Sequence, residues 1–132
     1  MKAMIFAAGK GTRLRPITDT VPKAMVIVGG KPLLEWLLLK MAASGIRDVV
    51  VNVHYLSEQI IDFINRKPVQ GLNIQISDER NLLLDTGGGL KKAAPMLQGN
   101  EPILIHNVDI LSNLDFGQFE KDFLKAATPA ML

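Results

Sequence analysis

Near its start the chain packs two glycines and two cations into five residues, Gly9-Lys10-Gly11-Thr12-Arg13. Glycine lets a backbone approach a phosphate closely and turn successive N–H groups toward it. A guanidinium can hold phosphate oxygens through two parallel donors. Lys10 and Arg13 therefore make this loop a candidate anion cradle, although a surface turn with incidental basic residues would show the same Gly-x-Gly spacing. Lys23 follows in a Pro-Lys turn. Most lysines are solvated surface groups, but this one stands beside the basic loop. Far along the chain, Asp109 ends the segment Asn107-Val108-Asp109 behind an apolar run. It can cap a turn or helix, or hold a ligand at the carboxyl end of a buried strand. Glu79 can pair with its neighbour Arg80 or lie in solvent. His106 reads as a packed strand histidine, while His54, just after an apolar run, fits either a packed or a functional role.

The charge distribution supports an anionic ligand. Residues 1–31 carry six basic groups against one acid, whereas the rest carries nine against twelve, within an overall net charge of +2. A local positive field on an otherwise acidic chain suggests an anion held there. Nucleic acid fits poorly, because there is one Trp, one Tyr and no basic run to follow a backbone. With 48% apolar and 21% charged residues the 132-residue chain is expected to fold around a core. No apolar stretch nears the ~20 residues of a membrane span, and the first residues lack the apolar core of a signal peptide. Cysteine is absent, which excludes disulfides and thiolate metal sites. A cytoplasmic location is the expectation.

Alternating elements must position these groups. Lys2–Ala8 reads as a buried strand running into the glycine loop. Leu33–Ser44 reads as a helix stopped by Gly45, apolar nearly all round and so expected to be covered on more than one side. The valine run within Asp48–Val53 reads as a buried strand. Ser57 is expected to cap a helix reaching about Asn65, with Ile60, Ile61 and Ile64 on one face. Leu72–Ser77 alternates as a strand does, Gly89–Leu97 reads as a short helix, Ile103–His106 as a strand, and Asp115–Ala127 as a last helix. Such β-α alternation predicts an α/β fold with a mostly parallel sheet and helices on both faces, a Rossmann-like three-layer sandwich. Ligands of such sheets bind beyond the carboxyl ends of the strands.

Two well-known phosphate loops do not fit. A dinucleotide fingerprint would need a third glycine where Leu14 stands, and Pro16 would fall inside the helix that follows. A Walker loop would need Ser or Thr after its lysine, but Gly11 follows Lys10. Ala7-Ala8-Gly9-Lys10-Gly11-Thr12-Arg13-Leu14-Arg15-Pro16, with Pro22-Lys23-Ala24-Met25, instead resembles the signature of the sugar-1-phosphate nucleotidyltransferases. Gly30-Lys31-Pro32-Leu33-Leu34, Asp85-Thr86-Gly87-Gly88-Gly89 and Asn107-Val108-Asp109 resemble the same family, in its order and spacing. The triple glycine is most similar to the bacterial branch of N-acetylmuramate-1-phosphate uridylyltransferases and mannose-1-phosphate guanylyltransferase-like proteins.

The resemblance implies an enzyme that joins a sugar 1-phosphate to a nucleoside triphosphate, UTP or GTP, and releases pyrophosphate. It implies a nucleotide loop of Ala8, Gly9, Lys10, Gly11, Thr12 and Arg13, with Arg13 on the β- and γ-phosphates. Lys23 would bridge the α-phosphate and the sugar phosphate. Asn52, Glu79, Gly87 and Gly88 would line the nucleoside pocket, Asn107 the sugar-phosphate site, and Asp109 would hold Mg²⁺. Arg13, Lys23 and Asp109 are thus the implied catalytic set. Ala24 stands where the family has a second proline, which would loosen the turn presenting Lys23. Val108 stands where it has glycine, which would crowd the sugar-phosphate site. Family members are longer, so residues 1–132 would be a single nucleotide-binding portion without the C-terminal sugar-binding half. Such a chain is expected to be feeble in catalysis on its own and to self-associate through the surface left open. The alternative is a non-catalytic nucleotide-binding or regulatory module.

Overall fold

A computed structural model describes residues 1–132. In chain order the strands are β1 (Lys2–Phe6), β2 (Ile27–Val28), β3 (Lys31–Pro32), β4 (Asp48–Val53), β5 (Asn73–Asp78) and β6 (Ile103–Asn107). The helices are α1 (Leu33–Ala43), α2 (Ser57–Arg66), α3 (Asp85–Ala93) and α4 (Phe116–Ala126). Four strands form one wholly parallel sheet in the order β5-β4-β1-β6, and β2 and β3 form a separate antiparallel hairpin. The chain thus builds outward from β1 through β4 to β5, then crosses back to place β6 on the other side of β1. The crevice between β1 and β6 is the point where strand order reverses, the preferred ligand position in such sheets.

Period-2 alternation sorts the core into two layers. Ala3, Ile5, Val49, Val51, Val53 and Leu104 face α1, α2 and α4 in a cluster that includes Leu34, Leu38, Met41, Ile60 and Phe116. Met4 and Val50 face the opposite way, onto Ala93 and Leu97, with Phe6 and Leu90 beside them. Helices therefore cover both faces, three on one side and α3 on the other. β1 lies between two strands and under both layers, which is why its middle residues Ala3, Met4 and Ile5 are all fully buried.

Most expected elements agree to within a residue or two, and the differences have local causes. Helix α1 buries one broad face, Leu33, Leu34, Leu37, Leu38 and Met41, but Trp36 and Leu39 remain exposed. Trp36 is held against the hairpin instead, donating from Nε1 to the Val28 carbonyl at 2.7 Å. The hairpin turns on Gly29 and Gly30, both at positive φ (57° and 84°), as a tight type I′ connection requires. Ser57 does not cap α2. It is the first helical residue, because Leu56 before it takes a left-handed conformation (φ 48°) with no side-chain cap. Asp115 does cap α4, accepting from the Gln118 N–H at 3.0 Å. Helix α3 begins at Asp85, four residues before the expected start, with all three glycines inside it. A Cβ on Gly89 would lie 2.8 Å from Glu79 Oε1 and 3.0 Å from Asn52 Nδ2. That close approach overrides glycine's poor helix propensity.

Phe116 anchors α4 to the sheet. It is fully buried, meets the His106 ring edge-on at 5.5 Å and lies under the Lys40 ammonium at 4.5 Å. Phe116→Ala should therefore cost about 3–5 kcal/mol of folding free energy, read as a lower urea midpoint at unchanged slope. A loss below about 1 kcal/mol would show that this contact does not hold the helix.

Candidate active site

The glycine loop is tied down at both ends. Where β1 stops, the side-chain oxygen of Asn52 accepts from the Ala7 N–H at 2.7 Å and the Ala8 N–H at 3.2 Å. Asn52 stands next to Phe6 in the β1–β4 register, so its side chain reaches the loop as the loop leaves the sheet. Further on, Gly11 is at φ 63°, and a Cβ there would come within 2.9 Å of Thr18 Cγ2 and 3.2 Å of Lys23 Cβ. Glycine at this position lets the Lys23 segment pack directly against the loop. The buried Thr18 locks the approach, donating to the Gly11 carbonyl at 2.8 Å. Lys23 opens a 3₁₀ turn, Lys23–Met25, closed by the Met25 N–H donating to the Pro22 carbonyl at 2.8 Å. Ala24, in the middle of that turn, is wholly buried in the main core. Packing thus anchors the turn where the sequence leads one to expect loosening.

These segments enclose a cavity of about 300 Å³ beyond the carboxyl ends of β1, β4 and β6. Ala8, Gly9, Arg13, Lys23, Asn52, Asn107 and Asp109 all line it. Lys23 and Asp109 form an ion pair across the β1–β6 crevice. Partial burial by itself would raise the Asp109 carboxyl. The hydrogen bond and charge of Lys23, joined by Arg13, outweigh it and hold the group below the usual aspartate value. Asp109 is therefore held in its charged form by the ion pair with Lys23. Val108 also lines the cavity, yet it is almost fully buried and its N–H donates to the Phe6 carbonyl at 3.2 Å.

Not every expected site residue reaches this cavity. Lys10, Gly11, Thr12, Gly87 and Gly88 lie off its lining. Glu79 lies behind it, buried against Asn52 rather than exposed or paired with Arg80. Arg80 bonds Asp78 and Glu58 instead. Conversely Phe6, Ala7, Leu83, Asp85 and Thr86 line the cavity although residue type alone does not single them out. Asp85 holds a left-handed backbone (φ 55°) at the first residue of α3, a conformation that non-glycine residues adopt at a cost and often at functional sites. The readable signal for Asp85 and Thr86 is their place beside the glycines of the same segment.

The family description "Nucleotidyl transferase" matches residues 2–131. The chain belongs to the nucleotidyl transferase family. Among curated relatives, N-acetylmuramate alpha-1-phosphate uridylyltransferase of Neisseria meningitidis is 44% identical over 116 residues, covering 88% of this chain and 50% of that protein. Mannose-1-phosphate guanyltransferase of Yarrowia lipolytica is 36% identical over 120 residues, covering 89% of this chain and 33% of that protein. Among solved structures, HddC of Yersinia pseudotuberculosis complexed with GMP-PN superimposes with a TM-score of 0.81 at 30% identity, covering 93% of this chain and 54% of that one. The chain thus spans about half or less of the length of these relatives. No helix is long and apolar enough to cross a membrane.

One titratable group of this nucleotidyl transferase chain lies just outside the cavity. His106 is buried, with Nδ1 donating to the Asn107 carbonyl at 2.8 Å. Burial depresses its pKa; the carbonyl and Asp109 oppose this and Lys40 adds to it. The unfolded chain therefore binds this proton more readily than the folded one. The corresponding stability is present above the ordinary histidine value of about 6.5 and is lost as pH falls through the depressed folded value. Unfolding measured from pH 8 to pH 5 should show this loss, and His106→Gln should remove its share of the slope. Parallel pH profiles for the two proteins would contradict the assignment.

Proposed function

We propose that this chain carries the nucleoside-triphosphate-binding half of a sugar-1-phosphate nucleotidyltransferase, which makes an NDP-sugar and releases pyrophosphate. The observation that carries the reading is the convergence of Arg13, Lys23 and Asp109 on one cavity at the strand-order reversal. In the proposed reaction an oxygen of the sugar 1-phosphate forms a bond to the α-phosphorus. The bond from that phosphorus to the bridging oxygen breaks in line, and pyrophosphate leaves. Two anions must meet, so the protein's work is to position them and offset their repulsion. Arg13 would hold the β- and γ-phosphates, and Lys23 the α-phosphate and the incoming sugar phosphate. The N–H of Gly9, on the cavity wall, would face the remaining phosphate oxygens, with Lys10 further out along the loop, and Asn107 would border the sugar phosphate.

Magnesium fits the residues present. No three metal-binding side chains cluster in the chain, but Mg²⁺ commonly takes one or two carboxylates together with substrate phosphates. Asp109, ionised and on the cavity wall, would hold it. The ion would supply charge neutralisation on the phosphates. UTP with N-acetylmuramate 1-phosphate is the first pair to test, given the relative at 44% identity; GTP with mannose 1-phosphate is the second, given the guanyltransferase at 36%. The reading implies a cytoplasmic enzyme.

A nucleoside triphosphate with Mg²⁺ should raise the melting temperature, since a ligand bound only by the folded state must stabilise it. NAD should have little effect. In the full-length protein Lys23→Ala and Arg13→Ala should lower pyrophosphate release by two or more orders of magnitude with little change in melting temperature. Asp109→Asn should weaken the response to Mg²⁺. Near-normal rates in all three variants, or a larger shift with NAD than with any triphosphate, would refute the reading.

Residues 1–132 taken alone should self-associate. Strand β6 pairs only with β1 and leaves its other edge open, while Ile103 and Ile105 on it are 42% and 48% exposed. An open strand edge with apolar side chains favours association. Light scattering at micromolar concentration should give a mass above 14.5 kDa, and Ile105→Lys should shift it toward the monomer. A monodisperse monomer of the unsubstituted chain would exclude this.

A further inference from the structure

Glu79 is the one carboxylate sealed behind the cavity wall, at 1% exposure, and the scheme above gives it no task. Its two oxygens serve two different segments. Oε1 accepts from Asn52 Nδ2 at 2.8 Å, and Oε2 accepts from the Leu84 N–H at 3.1 Å. Asn52 in turn accepts from Ala7 and Ala8 through Oδ1. Ser77 stands beside Asn52 in the strand register, yet its buried hydroxyl makes no hydrogen bond. Glu79 is therefore the acceptor that decides which way the Asn52 amide faces. Burying a carboxylate among neutral donors costs desolvation. Glutamine would have the same shape at lower cost, but it offers one oxygen where two donors converge.

We propose that Glu79 is a positioning residue of the nucleotide site. Through Asn52 it holds Ala7 and Ala8, where the glycine loop begins, and through Leu84 it holds the segment that enters α3 at the opposite wall. Helix α3 is seated on the same pair, since a Cβ on Gly89 would collide with Glu79 and press tightly on Asn52. The cavity-lining Leu83, Asp85 and Thr86 are thereby kept at a set distance from Ala8 and Gly9. The inference rests on the proposed binding of a nucleoside triphosphate, and it assigns Glu79 to the spacing of the site's walls rather than to ligand contact.

The test is Glu79→Gln in the full-length protein, alone and combined with Asn52→Asp. The single variant leaves either the Leu84 N–H or the Asn52 amide facing a donor. Amide exchange at Ala7 and Ala8 in ligand-free protein should then accelerate roughly tenfold or more, as expected when a buried donor loses its partner. KM for the triphosphate should rise about tenfold, with kcat changed less than about threefold. The double variant restores the count of donors and acceptors. The carboxylate introduced at position 52 can accept from Ala7, from Ala8 and from the new amide N–H at position 79, while the amide oxygen at position 79 accepts from Leu84. Protection at Ala7 and Ala8 should return. Unchanged exchange in the single variant, or no recovery in the double, overturns the proposal. If the single variant does not fold, recovered folding in the double supports the proposal and failure of both counts against it. Absence of any triphosphate binding by the unsubstituted protein instead overturns the proposed function, while the exchange measurement still decides whether Glu79 fixes the loop.

Discussion

The Asn52 amide is the joint on which the rest of the cavity depends. It sits at the carboxyl end of a central strand, nearly inaccessible to water. There it takes two backbone N–H groups that would otherwise be lost when β1 gives way to loop. A buried N–H without a partner carries the full desolvation penalty. The loop can therefore leave the sheet in this direction only while Asn52 is oriented to receive it. Glycine at position 11 then allows the return path, with Thr18 and Lys23 packed where a side chain would have been. Two short-range requirements, one hydrogen-bonded and one steric, thus aim the loop at the crevice between β1 and β6.

Electrostatics completes what packing begins. The basic excess of the first thirty-one residues is carried to the cavity by Arg13 and Lys23, and β6 brings Asp109 to meet them. Lys23 and Asp109 neutralise one another across the crevice. The proposed ligands have the same pair of charges in reverse, phosphate for the lysine and a divalent cation for the aspartate. Exchange of partners would cost less than creating two bare charges in a partly buried crevice.

Periodic, local features are legible in the chain. Three consecutive valines mark β4 as a doubly covered strand, and its bounds agree with those expected. Asp115 reads as the start of the last helix and proves to be its cap. What escapes such reading depends on contacts between distant residues. Glycine's low helix propensity hides the first turn of α3, which exists because Gly89 must approach Glu79 and Asn52. Glu79 looks like a surface acid beside Arg80, and nothing local announces that Asn52, 27 residues earlier, will bury it. The hairpin has a readable signal that the β-α alternation obscures. Gly29-Gly30 between Ile27-Val28 and Lys31-Pro32 is the two-residue connection that such turns favour. At the site, Lys23, Arg13 and Asp109 are recognisable by residue type and placement, whereas Asp85 is marked only by the glycines that follow it, and its left-handed backbone is not readable from residue type.

The crossing from β5 to β6 also bears on the order in which the molecule can assemble. β6 aligns Ile103 with Lys2 and Asn107 with Phe6, partners separated by most of the chain. β1, β4 and β5 join neighbours that are closer in sequence. Pairings of long separation bear the largest loop-closure entropy and slow folding. A chain with only β1, β4 and β5 paired would already present the glycine loop and Asn52, but not Asn107, Val108 or Asp109. It would hold Lys23 without its counter-charge and a cavity open along one wall. Under the proposed reading, the cations that would meet phosphate come together before the aspartate that would hold a metal, and the docking of a single edge strand completes the set.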